Sequence, residues 1–273
     1  MLLTLESRAK LNNGVEIPRF GLGVYQSPPG EITLRAVKYA LNIGYRHIDT
    51  AQVYGNEADV GRAVQESGLK REEVFITTKV WNSYQGYDST LGACESSLRR
   101  LGLSYVDLYL IHWPVQGGIS HETWKAMIKL GRQGKAHAIG VSNYSISQLK
   151  EVLQNSDIVV PAVDQVEFHP FLYQEELLRF CENNRIQLEA YSPLTRGKRL
   201  NHPNVKEVAK KYGKTPAQVL IRWSLQHDVI VIPKSIHEDR IRENSQVFDF
   251  QLEAEDMKLF DSLNKNSYTM FLG

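Results

Sequence analysis

The chain has 273 residues, with 32 Lys plus Arg against 31 Asp plus Glu and a formal net charge of +1. That length suits one (β/α)8 barrel, typically ~250 residues, and allows a large core. The even charge balance excludes a strongly basic nucleic-acid surface, and no apolar run nears the ~20 residues of a membrane span.

The first residues, Met1 to Glu6, turn acidic too soon for a secretory signal, so a cytoplasmic location is expected. Leu11-Asn12-Asn13-Gly14-Val15 carries an Asn-Gly turn signal and predicts an N-terminal β-hairpin able to plug a barrel floor. Short β-rich runs then start near Arg19, His47, Val74, Val106, Ala136, Ala162, Gln187 and Val229. Runs such as Val74–Val80 are apolar or β-branched throughout, as strands buried on both faces are. Helical patterns separate them. Glu31–Ile43 places Ile32, Ala36, Val37, Ala40 and Leu41 on one face, with Gly44 as a stop. Asp88 is a cap for a helix with the stripe Leu91, Cys94, Leu98 and Leu101, ended by Gly102. Thr215-Pro216 is a cap with proline at the first helical position.

Eight rounds of strand and helix predict an α/β fold, a (β/α)8 TIM barrel, as one domain over residues 1–273. An open doubly wound sheet is the alternative. The longest link, between runs seven and eight, contains Thr195-Arg196-Gly197-Lys198-Arg199. It reads as a solvated connection in preference to a lid. Cys94 and Cys181 read as buried free thiols, and the eight histidines lack zinc-type spacing, so no metal is expected.

Barrel chemistry collects where strands end at the C-terminal face. Here buried runs end in Asp49, Lys79 and His112, and others in Ser142-Asn143, Tyr191-Ser192 and Lys234-Ser235; run six holds Gln165 and Glu167. Singly each has a plainer reading: a loop cap for Asp49, a solvent-seeking ammonium for Lys79, a core histidine for His112, a loop aromatic for Tyr54. Jointly, an acid, a lysine and a histidine ending three successive strands converge on one mouth. Hydride addition to a carbonyl leaves charge on oxygen, so a proton donor must wait there. Tyr54, five residues past Asp49, is a candidate donor. A neighbouring ammonium favours the phenolate by about 4 kcal/mol at ~4 Å and an effective dielectric of ~20, and Asp49 keeps that lysine charged. His112 can donate to the substrate oxygen.

At these residues the sequence resembles the aldo-keto reductases, in particular their compact, short-loop members. The matching strings are Gly21–Val24, Gly44–Ala51 with Tyr54–Glu57, Thr78–Trp81, Leu108–Pro114, Ile139–Asn143, Gln165–Pro170, Tyr191–Leu194, and Ile232–Ser235 with Arg240–Asn244. The resemblance implies the catalytic tetrad Asp49, Tyr54, Lys79 and His112, with Tyr54 as general acid, reducing aldehydes and ketones with NADPH. It implies cofactor contacts from Gly23 and Val24 and from Ser142, Asn143 and Gln165 at the carboxamide. Tyr191 would stack on the nicotinamide, with Ser192 and Leu194 along the pyrophosphate. Lys234, Ser235 and Arg240 would hold the 2′-phosphate, and Glu243 and Asn244 the adenine. No G-x-G-x-x-G fingerprint is present, consistent with a cofactor bound without a Rossmann domain. Tyr25, Trp81 and Trp113 would wall the substrate pocket.

Two residues depart from the family's common pattern, His237 beside the 2′-phosphate site and Tyr25 at the pocket. The short segment Pro114–Ser120 and the short tail after Leu263 imply an open pocket. A monomer acting on small carbonyl compounds is expected, without nucleic-acid or membrane partners. The rival is a regulatory or structural barrel that keeps the cofactor cleft.

Overall fold

The computed structural model describes residues 3–115, 121–154 and 159–269. Strands β1 (Arg8–Lys10) and β2 (Glu16–Pro18) form the antiparallel hairpin. Its turn needs Gly14, whose φ of 89° lies in the left-handed region. Eight parallel strands follow: β3 (Leu22–Gly23), β4 (His47–Asp49), β5 (Phe75–Val80), β6 (Val106–Ile111), β7 (Ala136–Ser142), β8 (Val163–Glu167), β9 (Gln187–Tyr191) and β10 (Ile230–Val231). They pair in chain order, and the bridges Phe20–Val231 and Gly23–Lys234 join the last strand to the first. The predicted barrel is therefore the observed one. The first and last ladders are shorter than the apolar runs from Arg19 and Val229 implied.

Helices alternate with the strands: α1 (Glu31–Asn42), α2 (Glu57–Glu66), α3 (Tyr87–Leu101), α4 (His121–Arg132), α5 (Ile146–Leu153), α6 (Glu175–Asn183), α7 (Pro203–Tyr212), α8 (Pro216–Gln226), α9 (Glu238–Ser245) and α10 (Ala254–Asp261). Thr215 caps α8 as expected, in a reciprocal capping box with Gln218. Two helix details differ from the sequence reading. Helix α3 begins at Tyr87 behind Gly86, so Asp88 sits in its first turn, not at the cap. There its charge still meets the positive end of the helix. In α1 the buried stripe centres on Val37, with Thr33, Leu34, Ala36, Ala40 and Leu41. Ile32 lies about 140° round the axis from Val37 and is exposed.

The period of two along each strand sorts residues between two cores. Outward side chains such as Ile48, Ile76, Tyr109, Ile111, Val141, Val166 and Leu188 pack under the helices. Inward ones at the N-terminal end, Phe75, Leu108, Leu110, Ala138, Val163 and Ile230, pack with Ala9, Leu11 and Ile17 of the hairpin. The hairpin thus closes the floor, and Asn12 and Asn13 fasten it to the carbonyls of Pro161 and His137. Gly140 is required in this interior, since a Cβ would sit 2.5 Å from the Val163 carbonyl oxygen.

One outward residue of β8 carries a stability prediction. Asp164 is fully buried, accepts only a long bond from the Tyr144 amide (3.4 Å), and leaves Oδ2 without a partner among the described residues. Burial pushes its pKa well above the usual carboxylate range. Because the folded chain holds this proton more tightly than the unfolded one, this group's contribution to stability is fully present below about pH 4 and is lost as pH rises toward the folded pKa. Leaving such an acceptor unpaired costs about 1–3 kcal/mol. Asp164→Asn should recover an amount of that order at pH 8 and almost none at pH 4, as measured by urea unfolding at the two pH values.

Candidate active site

The same period of two that builds the floor brings the chemistry to the mouth. Counting upward on the inward rows gives His47 and Asp49 on β4, Thr77 and Lys79 on β5, and Leu110 then His112 on and just past β6. The other rows carry Gly140 and Ser142 on β7, Gln165 and Glu167 on β8, and Glu189 and Tyr191 on β9. Apolar layers give way to polar ones as the strands rise, and the polar residues are sealed: Lys79 is 0 % exposed and Asp49 2 %.

Lys79 spends its three hydrogens on Asp49 Oδ1 (2.6 Å), Asp49 Oδ2 (2.8 Å) and the Thr50 carbonyl (2.9 Å). Its Nζ lies 5.2 Å from the centre of the Tyr54 ring. The short helical turn Gln52–Tyr54 after β4 returns that ring to the mouth. Tyr54 Oη faces His112 Nε2 at 3.5 Å. Trp81 packs edge-on against His112, and Tyr25 lies 5.0 Å from Tyr54, centre to centre. The predicted tetrad and two of its three pocket aromatics are therefore in contact. Trp113 is half-buried beside them in sequence and holds Gln85 through its carbonyl.

The electrostatics differ from the sequence expectation in one respect. Burial, reinforced by Asp49, pushes the Tyr54 hydroxyl well above 10. Any downward pull by Lys79 is outweighed, because Asp49 pairs its ammonium at contact distance. The phenol therefore stays protonated throughout the physiological range. Burial, with Lys79 adding to it, holds His112 down at about 2, so its imidazole is neutral.

Beside the tetrad, Ser142 Oγ donates to the Gln165 carbonyl (2.7 Å), and Asn143 Nδ2 donates to Ser142 Oγ (2.9 Å) and to the His112 carbonyl (3.0 Å). Tyr191 Oη donates to Asn143 Oδ1 at 2.7 Å. This chain of bonds fixes Ser142, Asn143, Gln165 and Tyr191 as one wall, with Asn143 held at a φ of 65°. Gly23 lies between Asp49 and Lys234, and the Val24 amide donates to the Asp49 carbonyl. Lys234 and Arg240 are exposed, and among the described residues no carboxylate pairs with either. Ser235 Oγ accepts from the His237 amide, at the start of α9. Glu243 already accepts from Thr215 through one oxygen, and Asn244 is buried.

Three features differ from the reading of the sequence or escaped it. The Thr195–Arg199 segment is solvent-exposed from Arg196 to Arg199, as the sequence reading predicts, but it is tethered in a way that reading does not show. Thr195, Arg196 and Gly197 all have positive φ. Thr195 is buried, Arg196 donates at 2.7 Å to Gln26, just after β3 and two strands away across the β10–β3 seam, and Lys198 donates to the Thr269 carbonyl. Glu167 does not join the tetrad; it binds His169 Nε2 at 3.0 Å and the Thr269 amide at 2.7 Å, tying down the tail that follows Leu263. Glu189 and His47 lie in the barrel interior without having been singled out, although a glutamate between Leu188 and Ala190 in a buried strand is a legible signal. Of the Pro114–Ser120 segment, residues 116–120 lie outside the described residues.

Among the described residues, no helix is long and apolar enough to cross a membrane. The model of the Aldo/keto reductase family matches residues 20–265. The glyoxal reductase of Bacillus subtilis is 52% identical over 266 residues, covering 97% of this chain and 96% of that protein. The crystal structure of an aldo/keto reductase from Brucella melitensis superposes with a TM-score of 0.89 at 46% identity, over 94% of this chain and 99% of that one. A Bombyx mori aldo-keto reductase in complex with NADP gives 0.92 at 36% identity, over 99% and 96%. With eight strands, a plugged floor and a match of this extent, the chain belongs to the aldo/keto reductase family of oxidoreductases.

Proposed function

We propose that the protein reduces small aldehydes and ketones to alcohols with NADPH, with Tyr54 as the proton donor. The observation that carries this reading is the Tyr54 hydroxyl facing the His112 imidazole at 3.5 Å above a buried Lys79–Asp49 pair. When bound, the cofactor supplies the hydride. Tyr54 presents a proton at the mouth, and its high pKa keeps that proton in place until an alkoxide, a far stronger base, develops beside it. Neutral His112 orients the carbonyl oxygen, and the charged Lys79 steadies the phenolate left behind. Tyr25, Trp81 and Trp113 offer apolar surface to the rest of the substrate. The glyoxal reductase among the relatives favours small dicarbonyls as first substrates to try.

The residues present fit a dinucleotide bearing a 2′-phosphate. Lys234 and Arg240 supply two cations that no carboxylate of the described residues neutralises, with Ser235 between them in sequence. The wall of Ser142, Asn143, Gln165 and Tyr191 offers amide groups and an aromatic face to the nicotinamide end. On this reading Gly23, Val24, Ser192 and Leu194 would contact the cofactor between the two ends, and Glu243 and Asn244 would meet the adenine. A hydrogen bond to a charged group is worth about 1.5–3 kcal/mol. Arg240→Ala should therefore weaken NADPH binding about 10- to 100-fold and NADH binding far less; equal losses for both by fluorescence titration would remove the 2′-phosphate assignment. The function itself is tested by following NADPH consumption with an aromatic aldehyde, a dicarbonyl, an aldose and a quinone, with NADH in parallel. NADPH-selective turnover supports it. NADPH binding without turnover of any of the four would favour a regulatory or structural barrel.

A further inference from the structure

Behind the tetrad lies a second buried carboxyl that the proposed reaction does not use. Glu189 and Gln165 are register partners on β9 and β8, both turned into the barrel. Glu189 is 0 % exposed and Gln165 2 %. Gln165 Nε2 donates one hydrogen to Asp49 Oδ2 at 2.8 Å and the other to Glu189 Oε2 at 3.0 Å. Two carboxyls on different walls thus claim both amide hydrogens, which fixes which end of the amide is nitrogen. Gln165 Oε1 has no protein partner among the described residues and is not sealed from solvent. The hairpin blocks the floor, so this oxygen opens on the mouth, on the wall shared with Ser142, Asn143 and Tyr191.

We propose that Glu189 is a positioning residue for the nicotinamide end of the cofactor, acting by pinning the Gln165 amide so that its oxygen alone faces the cleft. The inference rests on the reading above that Gln165 meets the carboxamide. An amide held at one hydrogen swings about that bond; held at both, it presents an acceptor in a single place, matched to the N–H donors of a carboxamide. The charge arrangement suits the role. The groups facing Glu189 are Asp49 and His47 from β4 and Lys79 from β5. Lys79 neutralises Asp49 by direct contact, and burial keeps His47 uncharged, at about 3. An ionised Glu189 would leave an uncompensated charge in a dry interior. Burial, with Asp49 beside it, pushes its pKa up to about 8, so at neutral pH it is a carboxylic acid whose Oε2 still accepts from Gln165. A glutamine at 189 can make the same bond; a leucine cannot.

The experiment compares Glu189→Leu, Glu189→Gln and Gln165→Leu for binding of NADP+ and of 2′-phospho-ADP-ribose, which ends before the nicotinamide. Melting temperatures without ligand are recorded alongside. Glu189→Leu should weaken NADP+ binding about 5- to 20-fold, the range of a lost hydrogen bond. It should leave 2′-phospho-ADP-ribose within about twofold and lower the melting temperature by no more than a few degrees, the usual cost of one freed buried hydrogen. Glu189→Gln should keep NADP+ affinity within about threefold of the parent. If Gln165→Leu loses NADP+ and Glu189→Leu does not, the positioning role is wrong while the carboxamide assignment stands. Equal losses of both ligands in Glu189→Leu, or a Glu189→Gln variant as weak as Glu189→Leu, would also overturn it. Gln165→Leu binding NADP+ like the parent would remove the carboxamide assignment and the proposal with it.

Discussion

Tyr54→Phe should lower kcat about 10²–10⁴-fold, the usual worth of a positioned general acid, while NADPH affinity and melting temperature stay at parental values. The separation is expected from the geometry. The hydroxyl's only protein contact among the described residues is His112 Nε2 at 3.5 Å, too long to hold the fold together. The ring, which packs on Tyr25 and His112, is kept by phenylalanine. The parent enzyme's pH profile supplies a second check. With the Tyr54 hydroxyl held well above 10 and His112 down at about 2, neither group titrates between pH 6 and 9, so neither should bend the kcat profile there; an inflection near 8 would belong to Glu189. A fully active Tyr54→Phe enzyme would end the general-acid assignment.

Lys79→Met should produce the largest combined loss. Removing one partner of a buried ion pair costs about 3–5 kcal/mol because the other charge is left uncompensated. Here Asp49, 2 % exposed, would keep only the Gln165 amide. The sign with pH follows. Burial already raises the Asp49 pKa above the usual carboxylate value, and losing the ammonium that opposes this raises it further, so the variant's stability is retained in acid and falls as pH climbs from about 4. Denaturant unfolding should show a deficit at pH 8 that shrinks toward pH 5. Turnover should fall as far as in Tyr54→Phe, since the cation facing the phenolate is gone. Replacing both partners, Asp49→Leu with Lys79→Met, should restore much of the stability and none of the turnover. A stable single variant would mean that water reaches Asp49 despite its burial.

The barrel was legible because its signals are redundant. Eight β-rich runs, the Asn-Gly turn before Val15, the Thr215-Pro216 cap and the stop at Gly102 each report on local geometry that the tertiary structure keeps. The tetrad was legible for a related reason: a buried strand that ends in Asp49, Lys79 or His112 has few structural excuses. What the sequence hid depends on contacts between distant segments. Ile32 reads as core until the axis of α1 is fixed by Val37 and Ala40. The basic Thr195–Arg199 segment reads as solvated, and Arg196–Arg199 are exposed, but nothing in its residues reveals the ties to Gln26 and Thr269. Tyr54 looked as though a lysine would acidify it, because nothing in the spacing reveals that Asp49 saturates that lysine first. The period of two places Glu189 inward, yet nothing in the spacing shows that its partner is Gln165 on the neighbouring strand.

The seam where β3 meets β10 has a consequence for synthesis. The two strands come from opposite ends of the chain and are joined by the bridges Phe20–Val231 and Gly23–Lys234. At ~5–20 residues per second on a ribosome, roughly ten seconds or more separate the emergence of one edge from that of the other. Through that interval any sheet already formed keeps a bare edge on β3, open to wrong pairing. Under the proposed assignment of Gly23 and Lys234 to the cofactor, its site would be complete only once the barrel closes, and bound nucleotide would span the joint. The amides of Gly21, Gly23 and Val231, which carry the closing hydrogen bonds, are where added nucleotide should slow hydrogen exchange most.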